Sequence, residues 1–410
     1  MKKINIVGAG VSGLIAAKIL EEHGFHPNIF EETSRIGGRI KTDVLNGFFL
    51  DRGFQVLLTS YPAVRRHLNL EKLNLINIQS GAYIFDKKRY KLLGDPSKNI
   101  NFIFEPSLYR SVNLFDLLRI FKLKLKLKNK DLSDIFSSKE TSTIKYLNNN
   151  GFSQKIIDSF FKPFFGGVFL ESKLETSSRM FEFIFKMFSD GKVSIPKNGM
   201  EEIPKQIFQG LNKTTFNYNT KVKEVYKDII ELEKGKKIKS DYTIIATSPK
   251  KLFRNSFKQI TWNSSETLYF ETENKIFKKN IIGLISSSKS LINNFYYYPD
   301  TYLGKTNKFL LSVTILNSHN FDAEDLIQKV IHELDEYCDI KNVKFIKKYL
   351  IPHSIPQLNN LKERNNLDDI KQFGNVFLAG DQQLNGSLNA AIISGEQAAY
   401  GVIKSIQNKL

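Results

Sequence analysis

The sequence predicts an α/β fold built on a strand, turn, helix, strand unit at its N-terminus, with a mixed α+β second unit inserted into it. Three stretches predict this. Residues 3–32, KINIVGAGVSGLIAAKILEEHGFHPNIFEE, run from a short apolar strand through a glycine turn and an apolar helix into a second strand. From about residue 76 to 190 the pattern becomes mainly helical, as an insertion into the first unit would be. Near the C-terminus GNVFLAGDQQLNGSLNAAIISGEQAAYGVI returns to strand, loop and helix.

In the first unit Ile4, Ile6 and Val7 form the strand, and Leu14, Ala17, Ile19 and Leu20 supply helical packing. Gly24 suits the position after a helix end, and Asn28 to Glu31 restart a strand. GAYIFDKKRYKLL reads as a hairpin; LFDLLRIFKLKLKLK, STIKYLNNNGFS, KIIDSFFKPFF and SRMFEFIFKMF read mainly as helices. SIPKNGMEEIPKQIFQGL resumes with a turn and an amphipathic helix, followed by strands in NTKVKEVY and DYTIIATSP. WNSSETLYFETE, IIGLISSS, NNFYYYP and KFLLSVTIL give four β-rich runs. DAEDLIQKVIHELDEY is a helix with Asp322 as N-cap and Glu324 and Asp325 in its first turn, where negative charge suits the helix dipole.

The 410 residues allow two or three folding units. The predicted division assigns 1–75, 191–250 and 365–410 to a discontinuous nucleotide-binding domain, and 76–190 and 251–364 to a substrate domain. A formal charge of +18 fits nucleic acid, an anionic surface or a biased genome, and the excess of Lys over Arg with abundant Asn and Ile favours AT-rich codon usage. Without an RNA-recognition motif, zinc-finger spacing or arginine-rich tail, no nucleic-acid partner is expected. The single cysteine, Cys338, excludes an intramolecular disulfide and a cysteine metal cluster, and no histidine cluster has metal-ligand spacing. The strand pattern begins at Ile4 and no run of about 18 apolar residues occurs, so a cytoplasmic protein is expected, with peripheral membrane contact left open.

The chemistry starts at GAGVSG. Gly8 permits a tight turn, Gly10 lets a pyrophosphate approach the backbone, Gly13 lets helix and strand pack, and the helix start at Val11 and Ser12 faces the phosphates. Glu31, directly after Ile29 and Phe30 at the end of the second strand, is placed to accept hydrogen bonds from ribose hydroxyls; Glu32 is the alternative. An acidic residue there argues against a 2′-phosphate and hence against NADP. In EETSRIGGR the pair Gly37 and Gly38, followed by Arg39, is either a bare turn or an extension of the site that lets backbone N–H groups approach a diphosphate whose charge Arg39 offsets.

With these residues in place the sequence resembles the FAD-dependent amine oxidase and phytoene desaturase superfamily, in which the ribose-binding glutamate is followed by a Gly-Gly-Arg element. The resemblance continues through FFLDRGFQVLL with Asp51 and Gly53, SIPKNGM, the KVKEV strand with Val222, and TIIATSP around Ala246 and Thr247. VFLAGDQQLNGSLNAAIISGEQAA resembles the superfamily's closing flavin motif, which carries a ribityl-binding role over to Gly380 and Asp381, with Ser387, Leu388 and Asn389 at a helix start near the flavin ring. Asp381 and GSLNAA look closer to the desaturase branch, as does FFKPFFGGVF. Without a cysteine in the flavin motif the resemblance implies non-covalent FAD, and without a second GxGxxG an external nicotinamide donor has no site.

The implied fold is a Rossmann-type FAD/NAD(P)-binding domain in a p-hydroxybenzoate-hydroxylase-like two-domain architecture. The implied activity is that of an FAD-dependent oxidoreductase, a dehydrogenase, desaturase or oxidase, moving hydride from an apolar, polyene or isoprenoid-type substrate to flavin N5 with oxygen or a quinone-like acceptor. An amine oxidase producing hydrogen peroxide and a redox-neutral FAD-dependent isomerase are the alternatives, and no catalytic residue is assigned. Arg52 is a candidate for contacting substrate or flavin, or else a surface ion pair. Phe160, Phe161, Phe164, Phe165 and Phe169, and Tyr296, Tyr297 and Tyr298, are candidates for an apolar pocket, with core packing as the plainer role. In LFDLLRIFKLKLKLK, Leu114, Leu117, Leu118, Phe121 and Leu125 share a helical face flanked by lysines, which suits a membrane-surface helix or a helix packed on the substrate domain.

Overall fold

The computed structural model describes residues 2–94, 113–253, 260–299, 308–316 and 321–408. A five-stranded parallel sheet is ordered Thr215–Asn217, Asn28–Phe30, Ile4–Val7, Tyr242–Ile245, Val376–Leu378, so the two ends of the chain and its middle share one sheet. Strand alternation splits its side chains between two layers. Ile4, Ile6, Ile29, Ile244 and Phe377 join the cluster containing the helices Val11–Glu22 and Leu388–Gln407. Val7, Phe30, Ile245, Val376 and Leu378 turn the other way, onto an antiparallel meander of Val222–Val225, Ile229–Leu232 and Lys237–Lys239.

Those two helices pack closely because a glycine sits where they meet. A Cβ on Gly395 would lie 2.4 Å from the Ser12 carbonyl oxygen. Two further glycines allow the turn that precedes the first helix: Gly8 has φ +104°, and a Cβ on Gly13 would lie 2.1 Å from the Gly8 carbonyl oxygen.

The second unit is a seven-stranded sheet ordered Lys344–Pro356, Trp262–Thr272, Phe309–Ile315, Ile292–Tyr297, Ile282–Ile285, Gly81–Asp86, Arg89–Gly94. Its pairings are antiparallel except that Ile282–Ile285 runs parallel to Gly81–Asp86. One face carries Leu268, Phe270, Phe295, Tyr297, Leu311 and Val313 and is covered by the helix Ala323–Cys338 through Leu326, Val330 and Leu334. Asp322 caps that helix, accepting the Asp325 N–H at 2.9 Å. The other face, with Tyr269, Tyr296, Tyr298 and Leu284, belongs to the large core that also holds the glycine-rich loop.

Helices Leu114–Lys128, Leu132–Ser137, Thr143–Asn149 and Ser178–Asp190 form the insertion, with a longer helical run over 154–169. Pro163 lacks an N–H and would crowd the carbonyl four residues earlier; a π-turn over Ile157–Phe161 accommodates it. Phe161, Phe165 and Phe169 are buried there, Phe165 and Phe181 lying 4.7 Å apart ring to ring, so these three are core residues rather than pocket lining.

Three features depart from the sequence expectations. The hairpin Thr42–Leu45 and Phe48–Asp51 turns through Asn46 and Gly47, both at positive φ, and SIP of SIPKNGM lies in the strand Val193–Pro196 between Leu57–Leu58 and Leu75–Ile78. The edge strand Lys344–Pro356 was hidden by its charged residues. The helix Leu114–Lys128 packs through Asp116, Leu123 and Leu127 with Leu117 and Ile120 partly buried on the core, leaving Leu114, Leu118, Phe121 and Leu125 of the apolar stripe outward.

The Gly395 contact gives a test of the helix pair. Gly395→Val should force the two helices apart and cost about 1–3 kcal/mol as overpacking, seen as a lower urea midpoint with unchanged slope.

Candidate cofactor site

The site is built where two glycine loops meet backbone to backbone. Gly37 donates its N–H to the Ala9 carbonyl at 2.9 Å, and Gly10 and Gly37 form an isolated parallel bridge. A Cβ on Gly38, which has φ +60°, would lie 3.2 Å from the Gly10 Cα, whereas a Cβ on Gly10 would meet nothing closer than the Gly38 Cα at 3.9 Å. The helix Val11–Glu22 starts at Gly10 with no side-chain cap and no acidic residue in its first turn, although Val11, Ser12 and Gly13 are buried. A buried helix start without its own cap or acid is a donor set suited to an anion. These residues fit the diphosphate of a dinucleotide.

Glu31 closes the adjoining strand and is buried. Its Oε2 accepts the Ala9 N–H at 2.8 Å, and its Oε1 accepts the Thr33 N–H at 3.0 Å and hydroxyl at 2.6 Å. Glu32 is exposed and lies 3.7 Å from Lys221, so the structure puts Glu31, and not Glu32, against the glycine loop. Thr220 N–H bonds the Glu31 carbonyl at 2.8 Å, which brings the strand beginning at Val222 alongside. Ala246 sits across the loop, donating its N–H to Val7 at 2.8 Å, with its carbonyl 3.0 Å from the Cβ position of Gly8.

The far end of the chain completes the enclosure. Gly380, at φ +130°, donates its N–H to the Ser394 hydroxyl at 2.8 Å and starts the short turn Asp381–Gln383. Ser387 caps the helix Leu388–Gln407, accepting the Ala390 N–H at 3.0 Å, while Asn389 accepts the Ala63 N–H at 2.9 Å. Arg39 donates to Asp381 and to the Ser354 carbonyl, the latter at 2.9 Å, and its guanidinium lies 5.2 Å from the centre of the Trp262 ring. Gly8, Gly10, Gly13, Glu31, Gly37 and Gly38 are therefore brought together, and Arg39 links them to Asp381 in the closing stretch that also carries Gly380, Ser387 and Leu388. Val222 begins the strand that Thr220 brings alongside Glu31, and its side chain packs between sheet and meander.

Beside this enclosure lies a knot of buried polar groups that the sequence did not connect. Asp51 is completely buried; its Oδ1 accepts the Thr42 hydroxyl at 2.5 Å and the Met200 N–H at 2.8 Å, and its Oδ2 has no hydrogen-bond partner among the described residues. Burial pushes the Asp51 carboxyl up to about 7, the bonds from Thr42 and Met200 oppose this, and the Glu201 charge adds to it. Thr42 in turn donates its N–H to Glu201 at 3.0 Å. A Cβ on Gly199 would lie 2.4 Å from the Thr42 hydroxyl, which requires glycine before Met200. The DRG and NGM stretches are thus parts of one contact.

Arg52 pairs with Asp43 at 3.0 Å on the surface, the second of its two sequence readings. Burial works against the Asp43 charge, but bonds from Arg52, Tyr349 and Arg35 hold its carboxyl down to about 2. Lys41 was not singled out in the sequence, yet it is buried with its Nζ 2.9 Å from the Thr33 hydroxyl that serves Glu31. Facing Asp51 is an aromatic wall: Tyr269 donates to the Asp51 carbonyl at 2.8 Å, Tyr298 lies beside Tyr269, and Phe54 and Tyr296 are 5.3 Å apart. Tyr297 points to the opposite sheet face. Cys338 is buried in that opposite cluster, with its thiol pushed up by burial. Among the described residues no group of three or more His, Cys, Asp or Glu side chains is placed to hold a metal ion, and no described helix is long and apolar enough to cross a membrane.

Asp51 makes the pH dependence specific. Its folded-state pKa of about 7 exceeds the ordinary 3.8, so the folded protein holds the extra proton between those values. The stability this group contributes is present below about pH 4 and lost as the pH rises through about 7. Asp51→Asn removes that titration; the unfolding free energy of the wild type relative to the variant should fall across this window in urea titrations, and a difference independent of pH would refute the assignment.

The sequence profile of the family described as flavin containing amine oxidoreductase matches residues 11–403. Protoporphyrinogen oxidase 2, chloroplastic/mitochondrial, of Arabidopsis thaliana is 31% identical over 171 residues, covering 40% of this chain and 32% of that protein. The chain's match thus spans about a third of that relative. L-amino-acid oxidase of Bungarus fasciatus is 23% identical over 465 aligned positions, covering 99% of this chain and 87% of the other. Among solved structures, an oxidoreductase from Methanosarcina mazei superposes with a TM-score of 0.74 at 15% identity, covering 99% of this chain and 100% of that one, a likeness of fold.

Proposed function

The chain belongs to the flavin-containing amine oxidoreductase family and is an FAD-dependent oxidoreductase; from that premise we propose that it oxidises an apolar substrate, of polyene or isoprenoid type. Bound FAD would supply the redox chemistry, two-electron oxidation of a substrate C–H with oxygen or a quinone-like compound as final acceptor. The chain's part is to hold, orient and shield. Gly10, Val11, Ser12, Gly37 and Gly38 would offer backbone to the diphosphate, and Glu31 would accept the ribose hydroxyls in exchange for part of its present bonding. Gly380 and Asp381, with Arg39 beside them, would hold the ribityl chain. The helix start at Ser387 and Leu388 would supply positive potential toward the ring. FAD is held without a covalent bond.

The aromatic wall carries the substrate reading. Tyr269, Tyr296 and Tyr298 are fully buried and Phe54 partly so, and the Tyr269 and Tyr296 hydroxyls are spent on protein partners, the Asp51 carbonyl and the Asn280 side chain. An aromatic surrounding whose hydroxyls are already bonded leaves few polar handles for a charged substrate beside Phe54, which supports an apolar one. The second reading, an amine oxidised with release of hydrogen peroxide, is favoured by the likeness to L-amino-acid oxidase. An apolar substrate resides in membranes, and the protein meets it there as a peripheral protein.

Anaerobic mixing of the FAD-loaded protein with polyenes, isoprenoids, amines and amino acids separates the readings. Loss of the oxidised flavin absorbance with an apolar compound supports the proposal; reduction by amines or amino acids alone sinks it. Glu31→Ala should lower FAD retention by roughly tenfold or more, given about 1.5–3 kcal/mol for hydrogen bonds to a charged group, measured as flavin released on gel filtration. Retention equal to wild type would remove Glu31 from the ribose site.

A further inference from the structure

We propose that the outward face of the helix Leu114–Lys128 docks the protein onto an anionic lipid surface. The proposal gives a location to the peripheral contact in the functional reading, and it rests on that reading only for what the contact delivers.

The helix is amphipathic in the inverted sense. Leu114, Phe115, Leu118, Phe121 and Leu125 are 64%, 64%, 57%, 57% and 49% exposed, while Asp116, Leu123 and Leu127 are buried. At 100° per residue Leu114, Leu118, Phe121 and Leu125 fall within a stripe about 60° wide, opposite the buried residues. The stripe runs roughly 16 Å along the axis at 1.5 Å per residue. Phe115, Lys122 and Lys126 border it on one side, Lys124 and Lys128 on the other. Lys122 at one edge and Lys128 at the other, both exposed, let the hydrocarbon of the stripe enter a bilayer surface while their ammonium groups reach its phosphates, Lys126 being turned toward Glu182.

Charge selects this occupant. The only acidic residue of the helix, Asp116, is turned inward, where its carboxylate accepts the Ser153 N–H at 3.0 Å and hydroxyl at 2.5 Å and pairs with Arg119. The outward face is therefore apolar and cationic, on a chain whose formal charge is +18. A lipid surface needs no matching concavity, and five side chains on one helix fall short of the roughly 800 Å² per partner of a stable protein interface.

The stripe does not hold the helix in place, which makes it open to substitution. The inward face does so, with Lys186 donating to the Leu127 and Lys128 carbonyls at 2.9 and 3.0 Å, and with Glu182 drawing in Lys130 at 2.5 Å and Lys126 at 3.7 Å.

The test uses the full-length, FAD-loaded protein sedimented with phosphatidylcholine vesicles, with and without phosphatidylserine. Wild type should sediment with the phosphatidylserine vesicles at low salt and less so as salt is raised. Leu118→Ser combined with Phe121→Ser should weaken partitioning by about tenfold or more, and Lys122→Glu combined with Lys128→Glu should do so on phosphatidylserine vesicles only. Both variants should keep wild-type circular dichroism and melting. Wild type left in the supernatant at low salt, or a Leu118/Phe121 variant sedimenting like wild type, would overturn the proposal. So would a dimer in light scattering that the same variant dissolves, which would assign the stripe to a second copy. Sedimentation needs no substrate, so an amine identified by anaerobic reduction would end the apolar-substrate reading while the vesicle result decides this one separately.

Discussion

The approach of Gly10 to Gly37 and Gly38 is the contact on which the remainder of the structure depends. A donor set of backbone N–H groups faces an anion only if the chain around it carries no side chain there, which falls on Gly10, and the two loops approach this closely only if Gly38 has no Cβ. Both conditions fall on the same few residues. Gly13 against Gly8 and Gly395 against Ser12 extend the requirement outward, so that sheet, first helix and closing helix are drawn to one point. The conformational entropy of so many glycines is offset by the apolar layers on both faces of the parallel sheet. A discontinuous chain follows, since Leu388–Gln407 can reach Ser12 only if the last strand returns beside Tyr242–Ile245.

Much of this was legible because it is local. GxGxxG, the acid at the strand end, the Gly-Gly-Arg element and the Asp322 cap each declare themselves within a few residues. The missed features depend on partners far away or on charge masking a pattern. Lys344–Pro356 alternates imperfectly, with Lys347 and Lys348 adjacent, because it is an edge strand whose pairing with Trp262–Thr272 carries two irregularities. Asn46–Gly47 did carry a local signal, a two-residue hairpin turn, that the reading passed over. In Leu114–Lys128 the period was correct, but periodicity gives the contrast between faces and not which of them meets solvent. The tertiary bonds of Asp116, which settle that, come from Ser153 and are invisible to a helical wheel.

The knot around Asp51 shows a second way in which distant segments become one feature. Thr42, Asp51, Met200 and Glu201 lie on three stretches and bond one another, with Asp51 Oδ2 left over. A carboxyl this deeply buried remains neutral more readily than it stays charged, so its environment selects a proton as well as a shape. The knot also carries position across the molecule, because the Asp51 carbonyl takes the Tyr269 hydroxyl while the Asp51 carboxyl holds the turn at Met200. The wall proposed for the substrate and the hairpin beside the glycine loops are therefore set by one residue.

Arg39 makes the same link from the cofactor side, and its energetics indicate what it is for. Its side chain is 41% exposed, and ion pairs so open to water contribute about 0–1 kcal/mol to stability. Stability alone would not require an arginine there. Its guanidinium nevertheless reaches Asp381 in the closing flavin motif, the Ser354 carbonyl on the edge strand and the face of Trp262 on the next strand. A planar fork can satisfy those three directions at once, where a lysine would serve as a point charge for one. The value of Arg39 is thus geometric: it ties the seven-stranded sheet to the residues proposed to hold the cofactor, across layers that share one core.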